Sequence, residues 1–349
     1  MKNLKQSGFN APFSYIYVED RVRDLPRCQD ILARFPKAAV VPIHHYKDVF
    51  NRKKQNYRAQ HGSQALILAH KEGQLLYPGS PNCQSFGNAN FYYTSCMMNC
   101  VFDCEYCFLK GMYPTGNLVL FLNLEDIFEE TARLCQTEQV YLCVSYDTDL
   151  MSVEPIAGYV RRWMEFTAEQ PNLTIEIRTK SAYTKVLNAQ LGQDDKLADA
   201  KSRIIFAYTL SPQKIIQAYE HGTASIDQRL QAANRVLQAG YPVRLCFDPM
   251  IYCPNWEQEY TELIPYVFDH VPADRVFDTS VGSFRIAPDY LKTMRRSEPD
   301  SAVVQFPFVR ENGVEYYGAK LTNQMESLLV AQLKRFVPEE KIFRWEDQT

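Results

Sequence analysis

From about residue 91, short apolar stretches alternate with amphipathic helical stretches, and this alternation restricts the fold more than any other feature. Strands that recur between helices and have apolar bodies indicate a parallel sheet covered by helices. Six such units can be counted, too few for a closed eight-unit barrel. The sequence therefore predicts an α/β fold built on a partial, open (β/α)6 barrel. Its strands are expected in "ANFYYTS" (89–95), "VYLCVSYD" (140–147), "LTIEIRTK" (173–180), "RIIFAYTLS" (203–211), "PVRLCFDPM" (242–250) and "RVFDTSVGSFRIA" (275–287).

The chain is predicted to divide into three parts. Residues 1–90 are expected to form an α/β segment that packs on the barrel, residues 91–290 the barrel itself, and residues 291–349 an α+β extension. Further elements are predicted as strands in "AAVVPI" (38–43), "QALILAH" (64–70) and "KIFRW" (341–345), as helices at 125–136, about 154–168, 225–239, about 256–269 and 321–336, and as a surface loop at 192–202.

Composition excludes several classes of protein. Hydrophobic residues make up 46% of the 349-residue chain and aromatic residues 13%, which indicates a globular rather than a disordered protein. A net charge of −3 argues against a strongly basic protein that coats DNA, although it is compatible with a local basic groove. There is no apolar run of the roughly 18 residues that cross a bilayer and no secretory leader, so we expect a cytoplasmic protein without membrane contact. In that reducing compartment the ten cysteines are expected to be thiols or metal ligands.

Polar residues collect where the predicted strands end, whereas the strand bodies read as apolar. Chemistry in parallel barrels collects at the carboxyl ends of the strands. This pattern therefore predicts one polar site at that edge of the sheet. The residues concerned are the cysteines after the first strand, then Ser145, Asp147, Thr148 and Asp149, Thr179 and Lys180, Thr209 and Ser211, Asp248, and finally Ser283 and Arg285.

Three cysteines follow the first strand with the spacing C-x3-C-x2-C, at Cys100, Cys104 and Cys107. One interpretation is the buried face of a helix, since these positions share a face and cysteine is often buried. A second is a structural zinc site, which needs four ligands and would use Cys96 as the fourth. A third is an iron–sulfur cluster, in which three thiolates hold three irons of a [4Fe–4S] cluster and leave the fourth iron open.

C-x3-C-x2-C after the first strand of a partial barrel resembles the motif of the radical S-adenosylmethionine superfamily, including the aromatic Tyr106 before the last cysteine. The resemblance implies that S-adenosylmethionine binds the open iron. An electron from the cluster then cleaves it to methionine and a 5′-deoxyadenosyl radical, which abstracts hydrogen. The cofactors would carry this chemistry, and the protein would position them.

Within that superfamily the chain resembles the spore photoproduct lyase family over nearly its whole length. The resemblance implies repair of a thymine dimer lesion in DNA, with DNA as the partner and a flavodoxin or ferredoxin as the electron donor. The stretches that carry it include "YKDVFNRKKQNYRAQHGSQALILAHKEG" (46–73), "CVFDCEYCFLKG" (100–111), "IRTKSAYTKVL" (177–187), "HGTASIDQRLQAANRVLQAG" (221–240) and "SVGSFRIAPDYLKTMRR" (280–296).

Site residues follow from this resemblance position by position. Cys100, Cys104 and Cys107 match the cluster ligands, and Tyr106 matches a tyrosine implicated in radical transfer. Contacts to S-adenosylmethionine are implied for a set of polar residues, with Lys180 on its carboxylate and Asp248 contributing through its backbone. That set is Thr148, Lys180, Thr209 and Asp248.

The sequence departs from the family on the substrate side. Tyr146 stands where the family has a cysteine that returns hydrogen to the product radical, so Tyr146 is a candidate hydrogen donor. Cys143, three residues earlier on the same strand, is expected to face the opposite side. Cys83 and Cys96 are further donor candidates. Phe108 replaces a tyrosine, and Tyr316-Tyr317 replaces an Arg-Tyr pair that engages the lesion.

These departures leave alternatives open. The chain could be a lyase with another hydrogen donor, a radical homologue acting on a different substrate, or a zinc-stabilised nucleic-acid-binding protein. The stretch "KDVFNRKKQNYR" (47–58) combines five basic residues with interleaved aromatics, a composition that suits phosphate contacts and base stacking. A solvated amphipathic helix explains it equally well. A second basic group, Lys292, Arg295 and Arg296, follows the sixth strand.

Overall fold

The computed structural model describes residues 13–79, 84–187 and 195–344. Helices and strands of the N-terminal part are β1 (Tyr15–Glu19), α1 (Pro26–Arg34), β2 (Ala39–Ile43), α2 (Lys47–Phe50), α3 (Tyr57–His61), β3 (Leu66–Ala69) and β4 (Leu76–Pro78). They continue with β5 (Phe91–Thr94), β6 (Met97–Met98), β7 (Asp103–Cys104), α4 (Leu109–Met112), β8 (Leu118–Phe121), α5 (Leu124–Cys135), β9 (Val140–Cys143), α6 (Leu150–Ala157), α7 (Tyr159–Glu169), β10 (Leu173–Thr179), α8 (Asp195–Ala200), β11 (Ile204–Thr209), α9 (Gln213–Tyr219), β12 (Glu220–His221), α10 (Ile226–Gln238), β13 (Val243–Met250), α11 (Trp256–His270) and β14 (Asp278–Ser283). The last elements are β15 (Arg285–Ile286), α12 (Pro288–Ser297), β16 (Val309–Glu311), β17 (Val314–Tyr316), α13 (Ala319–Leu333) and β18 (Ile342–Arg344).

The central sheet has the strand order β18-β14-β13-β11-β10-β9-β5-β4. Six strands of this sheet pair in parallel, each with the sheet strand that comes next in the chain. They are β5, β9, β10, β11, β13 and β14. This arrangement confirms the predicted partial barrel and brings the carboxyl ends of its strands to one edge. The short strand β18 adds in parallel beside β14, and β4 adds antiparallel beside β5.

Helix α10 shows how local sequence fixes an element. Ser225 and Gln228 form a reciprocal capping box at its start, which satisfies amide groups that the first turn leaves without partners. After its end, Gly240 adopts a φ of +85°, a conformation that favours glycine. The helix predicted at 225–239 is therefore confirmed, with both ends set by these residues.

A second sheet, in the order β2-β1-β3-β8-β6, lies in the N-terminal part. Its strand β8 comes from the chain after the cysteines and pairs in parallel with β3. Neither β1 nor β8 was predicted from the sequence. The cysteine loop therefore lies between β6 and β8, which pair antiparallel in this second sheet. Strand β5 of the central sheet directly precedes β6, so the chain passes from one sheet to the other just before the loop.

Two predicted elements differ in the structure. The helix expected at about 154–168 is two helices, α6 and α7, separated by Gly158 at a φ of +62°. The surface loop expected at 192–202 contains helix α8, which buries Leu197 and Ala200 against the core, while residues 188–194 lie outside the described residues. The polar composition of that stretch hid its few apolar contacts.

The strand bodies are not uniformly apolar, which corrects the sequence-based expectation. Arg244 on β13 lies inside the sheet with Glu176 and Asp278 as its ion-pair partners, and Tyr141 donates a hydrogen bond to Glu176 at 2.6 Å. The Arg244 guanidinium also lies 3.3 Å from the ring centroid of Phe86. Buried charges need partners of this kind, and here the partners come from neighbouring strands.

The C-terminal part adds a three-stranded sheet, in the order β15-β17-β16, beside the barrel. Strands β16 and β17 form a hairpin whose turn residues Asn312 and Gly313 both have positive φ, as a two-residue turn of this type requires. Helix α13 packs against α11 and β14. Among the described residues, no helix has the length and apolarity required to cross a membrane.

Candidate active site

A cavity of about 590 Å³ opens at the carboxyl ends of the barrel strands. The thiols of Cys100, Cys104 and Cys107 line one side of it. The rest of the lining comes from residues that follow or end the other strands. They are Cys143, Ser145, Tyr146, Thr148, Asp149, Thr179, Lys180, Thr209, Asp248, Ser283 and Arg285, with Glu176 and Arg178 deeper in the sheet.

The cysteine loop is held by contacts from the N-terminal part. Asn99 has a φ of +67°, and its side-chain amide donates to the carbonyls of Thr115 and Asn117, both at 2.7 Å. The carbonyl of Cys100 accepts a hydrogen bond from Gln64 Nε2 at 3.0 Å and lies 3.2 Å from His61 Nε2. The main chain at the first cysteine is therefore fixed from outside the barrel.

The other end of the loop is fixed by the short strand β12. Glu220 on β12 pairs with Cys104 on β7, and the amide of Glu105 donates to the carbonyl of Tyr219 at 2.9 Å. The Glu220 carboxylate accepts a hydrogen bond from the phenol of Tyr106 and forms a fully buried ion pair with Arg229. These contacts tie the motif to helix α10.

Arg229 uses its remaining donors on nearby main chain and a hydroxyl. It donates to the carbonyl of Thr209 at 2.8 Å, to that of Ala224 at 2.9 Å and to Thr223 Oγ1 at 2.7 Å. Burial opposes ionisation of Glu220, but Arg229 and Lys180 dominate and lower its pKa to about 2. A buried charge of this kind is stable because all its neighbours are in place.

The thiols of the motif lie in a low-polarity environment. Burial raises the pKa of Cys104 to about 12, although the Lys180 ammonium acts in the opposite direction. Burial likewise raises the pKa values of Cys100 and Cys107. Raised pKa values keep these thiols protonated and poorly nucleophilic in the ligand-free protein, and binding of a metal centre would release their protons.

Asp149 organises the ends of the second and third barrel strands. Its carboxylate caps helix α6 by accepting from the Ser152 amide at 3.0 Å. The same carboxylate accepts from Thr179 Oγ1 at 2.9 Å and from the Lys180 amide at 2.7 Å. Burial raises the pKa of Asp149, while these three hydrogen bonds oppose the increase. The backbone of Lys180 is consequently fixed beside the cysteines.

Lys180 and Thr148 direct polar atoms at the cavity. The Lys180 ammonium lies 5.2 Å from the ring centroid of Tyr106. Burial opposes its charge, but the neighbouring Cys104 and Glu220 raise its pKa above the ordinary value. The Thr148 hydroxyl is buried and has no hydrogen-bond partner among the described residues. An unpartnered buried hydroxyl in a cavity wall indicates a place where a ligand supplies the missing hydrogen bond.

Aromatic rings form another side of the cavity. Tyr146 stacks on Tyr93, with ring centroids 4.2 Å apart, and Tyr93 stacks on Tyr77 at 5.0 Å. Phe108 lies 5.8 Å from Tyr146 between ring centroids. Tyr146, the candidate hydrogen donor, therefore lines the cavity beside Phe108, the residue that follows Cys107.

The structure corrects the expected direction of Cys143. Cys143 lines the same cavity as Tyr146 rather than the opposite side. The reason is that β9 ends at Cys143, so the alternation of a strand does not continue to Tyr146. Cys96 is buried at 1% exposure, lies 3.7 Å from the carbonyl of Val144 and is not part of the cavity wall, while Cys83 lies outside the described residues.

The residues at the replaced Arg-Tyr pair lie away from the cavity wall. Tyr317 is buried, and its hydroxyl accepts from the amide of Tyr252 at 3.0 Å. Tyr316 donates to Glu311 within the hairpin. Of strand β17, only Val314 lines the cavity.

Several residues that shape the site were missed from the sequence. Arg229 lies within the 221–240 stretch of the resemblance and Glu220 directly precedes it, but nothing in the spacing indicated that they meet. Asn99 carried a weak signal, since asparagine tolerates positive φ better than most residues. His61 lies three residues after the basic stretch at 47–58, and the sequence gave no indication of its contact with the cysteine loop.

In the basic stretch at 47–58, the basic side chains are exposed to solvent, whereas the aromatic side chains pack into the protein. Phe50 is buried in the N-terminal core, and the hydroxyl of Tyr57 donates to Asn99 at 3.3 Å. The aromatic rings therefore support the fold rather than presenting a stacking surface. Its basic side chains are all exposed, namely Lys47, Arg52, Lys53, Lys54 and Arg58.

Comparison with protein families gives one clear match. The model of the family described as spore photoproduct lyase matches residues 14–286. The spore photoproduct lyase of Bacillus subtilis (strain 168) is 20% identical over 269 residues, which cover 74% of each chain. That of Geobacillus sp. (strain Y412MC61) is 25% identical over 170 residues, which cover 47% of each chain. The chain thus spans about half of one of these relatives and about three quarters of the other.

Solved structures with this fold include two of spore photoproduct lyase. One is a complex with dinucleoside spore photoproduct, with a TM-score of 0.76 at 17% identity; it covers 96% of this chain and 98% of that one. The other is a double mutant with bound AdoMet and dinucleoside spore photoproduct, with a TM-score of 0.76 at 17% identity; it covers 96% of this chain and 99% of that one. At this level of identity the likeness establishes a shared fold.

Proposed function

Because the chain belongs to the spore photoproduct lyase family, we propose that it is a radical S-adenosylmethionine enzyme that repairs a thymine dimer lesion in DNA. The observation that carries this proposal is the single cavity lined by Cys100, Cys104 and Cys107 together with Lys180 and the unpartnered hydroxyl of Thr148. Thiols, an ammonium group and a hydroxyl that line one cavity match the donors and acceptors that the two cofactors need.

The cysteine motif fits a [4Fe–4S] cluster better than zinc. Within the described residues, no three His, Cys, Asp or Glu side chains are gathered closely enough to chelate one metal ion. A structural zinc site draws four ligands onto one ion, whereas the thiolates of a cluster bind separate irons. Cys96, the fourth ligand in the zinc alternative, lies outside the cavity wall.

When bound, the cluster and S-adenosylmethionine would together supply one-electron reduction and a hydrogen-abstracting radical. Lys180 would hold the carboxylate of S-adenosylmethionine through its ammonium group. Thr148 would donate its buried hydroxyl, Thr209 would offer a second one, and Asp248 would contribute through its backbone. The hydrogen bond to Glu220 would hold Tyr106 in place, so that this part of the cavity wall keeps its position when the cofactor binds.

The substrate side is proposed to take an extruded lesion. Removing a base from the stack costs a few kcal/mol, less when the lesion already distorts the duplex. The exposed basic residues of α2, α3 and the turn between them would contact phosphates. Tyr146 would return a hydrogen atom to the product radical, since its phenol lies in the cavity. A flavodoxin or ferredoxin would supply the electron.

The proposal is tested with anaerobically purified protein, reduced and incubated with S-adenosylmethionine and dinucleoside spore photoproduct. We expect a brown protein, formation of 5′-deoxyadenosine, and release of two thymidine units. A colourless, zinc-loaded protein with all three cysteines intact would contradict the cluster.

A second candidate is a radical homologue that acts on a different substrate. It is favoured by the position of Tyr317, which is buried away from the cavity wall where the family has a lesion contact. In the same assay, 5′-deoxyadenosine without release of thymidine would favour this candidate over lesion repair.

A further inference from the structure

The deeper wall of the cavity carries a guanidinium group whose terminal donors are unused. Arg178 on β10 donates from Nε to Glu176 Oε1 at 3.1 Å, and its side chain is 31% exposed. Neither of its terminal nitrogens donates a hydrogen bond to any residue that the structure describes. Since Glu176 is itself held by Tyr141 and Arg244, the Arg178 guanidinium is fixed at one edge and open towards the cavity.

The same wall carries a carboxylate whose acceptors are unused. Asp248 on β13 lines the cavity, and within the described part of the chain its carboxylate accepts no hydrogen bond and forms no ion pair. It rests against Gly282, where an added Cβ would lie 3.0 Å from Asp248 Oδ1 and 3.1 Å from Arg285 Nη1. The absence of a side chain at Gly282 therefore leaves the space that this carboxylate occupies.

Arg178 and Asp248 lie two strands apart, because β11 runs between β10 and β13. Arg178 is in register with Ala207, and Ala207 with Arg244, which lies four residues before Asp248. The two backbones are therefore offset by roughly 13 Å along the strands as well as roughly 10 Å across them. Among the described residues the two side chains form no ion pair with each other, and both line the same cavity, where the edge of a flat ring can contact both. Both groups are partly desolvated in the cavity, so a ligand that satisfies both gains more than it would in water.

We propose that Arg178 and Asp248 read the imide edge of a pyrimidine, with Asp248 accepting the ring N3–H and Arg178 donating to a flanking carbonyl oxygen. The assignment rests on the proposed function, because it names which part of the lesion the cavity recognises. Thymine and its 5,6-saturated form both present acceptor, donor, acceptor along this edge. Cytosine presents an unprotonated N3, which the Asp248 carboxylate repels. Enzymes that take a base out of the stack commonly read its Watson–Crick edge.

The test measures binding by calorimetry to the cluster-loaded protein without S-adenosylmethionine, so that no turnover occurs. Dinucleoside spore photoproduct is compared with its N3-methylated derivative, and thymidine with N3-methylthymidine. We expect the ligand with a free N3–H group to bind at least about tenfold more tightly than its N3-methylated partner. This is the ratio expected for one lost hydrogen bond with a charged acceptor. Asp248→Asn is expected to reduce this preference to below about threefold, and Arg178→Gln to weaken the N3–H ligands about tenfold. The exposed control Asp274→Asn keeps the wild-type preference.

The outcomes separate this inference from the proposed function. A preference for thymidine over N3-methylthymidine without binding of dinucleoside spore photoproduct retains the imide assignment and contradicts the lesion. Equal binding within each pair, an unchanged preference in Asp248→Asn, or no N3–H-dependent binding of either ligand overturns the assignment, whatever the repair assay gives.

Discussion

Glu220 and Arg229 form an ion pair in which neither side chain is exposed to solvent. The pair connects the cysteine motif with the helix that follows it, since Glu220 also accepts from Tyr106 and Arg229 donates to the carbonyl of Thr209. Through these two contacts, one buried ion pair positions both Tyr106 and the main chain at Thr209 at the edge of the cavity. Removing one partner leaves an uncompensated charge in the core.

We therefore expect Arg229→Met to destabilise the protein by about 3–5 kcal/mol, the range for breaking a buried pair from one side. The unfolding midpoint in urea and the iron content after reconstitution should fall together, because Tyr106 loses its support. Lys334→Met breaks the exposed pair with Glu339 and serves as the control, with an expected cost of about 0–1 kcal/mol. A normal midpoint for Arg229→Met would contradict the role assigned to this pair.

Iron content distinguishes the cluster from the zinc alternative. Cys100→Ala, Cys104→Ala and Cys107→Ala should each lose most of the iron and the absorption of the reconstituted protein, because each removes one thiolate ligand. Cys96→Ala should retain both, since Cys96 lies outside the cavity wall. If Cys96→Ala loses metal as completely as the other three, the four-ligand zinc interpretation regains support.

A substitution at Thr148 is expected to weaken ligand binding without lowering the stability of the protein. Its hydroxyl is buried without a partner, so Thr148→Val should leave the midpoint of the ligand-free protein unchanged or slightly raised. The same change should weaken binding of S-adenosylmethionine by about tenfold, the equivalent of one hydrogen bond. Both effects are measured from melting midpoints with increasing S-adenosylmethionine.

Thr131→Val is the matched control for this change. The hydroxyl of Thr131 donates to the carbonyl of Ile127 at 2.7 Å within α5, away from the cavity. It should lower the midpoint while leaving the response to S-adenosylmethionine intact. An unaltered response in Thr148→Val would remove Thr148 from the cofactor site.

Tyr146 is expected to act through its phenol. Tyr146→Phe keeps the ring that stacks on Tyr93 at 4.2 Å and removes only the O–H group. With dinucleoside spore photoproduct, the variant should form less thymidine and more side product for each 5′-deoxyadenosine, measured by chromatography. Cys96→Ala should match the wild type. Cys143→Ala tests the thiol that shares the cavity, and an effect there without one in Tyr146→Phe would transfer the donor role to Cys143.

The barrel could be predicted from the sequence because its signals are local. Most of the parallel strands read as short, largely apolar runs followed by polar residues, and the parallel pairing of the strands brings those ends to one edge without further information. Thr148, Lys180 and Asp248 were selected in this way, and all three line one cavity.

Contacts between distant segments could not be predicted in the same way. Strand β8 joins the N-terminal sheet across the cysteine loop, and no periodicity indicates which sheet a four-residue apolar strand enters. Nothing in the sequence indicates that Glu220 and Arg229 form a buried pair. The direction of Cys143 depended on where β9 ends, and strand ends are the part of an element that patterns determine least.

Glu154 provides a test of electrostatics far from the cysteines. It lies at the end of α6 with 7% exposure, and its carboxylate accepts from the amides of Val160 and Arg161 at 2.7 and 3.0 Å. Burial raises its pKa from the ordinary 4.5 to about 7, although these amides and the cations Arg27 and Arg161 oppose the increase. Other charged or titratable groups around it are Asp30, Arg34, Arg162, Tyr183 and Lys185.

A carboxyl group whose pKa is raised by folding binds its proton more tightly in the folded state. Its contribution to stability is therefore present below pH 4.5 and is lost as the pH rises towards 7, at most about 3 kcal/mol for this difference in pKa. Glu154→Gln should lack this dependence. The urea midpoint of Glu154→Gln should be lower than that of wild type, and this difference should be larger at pH 5 than at pH 7.5. The exposed Glu165→Gln should follow the wild-type profile at every pH. A constant difference between Glu154→Gln and wild type from pH 5 to 7.5 would show that Glu154 is ionised throughout, and that its hydrogen bonds to the first turn of α7 outweigh its burial.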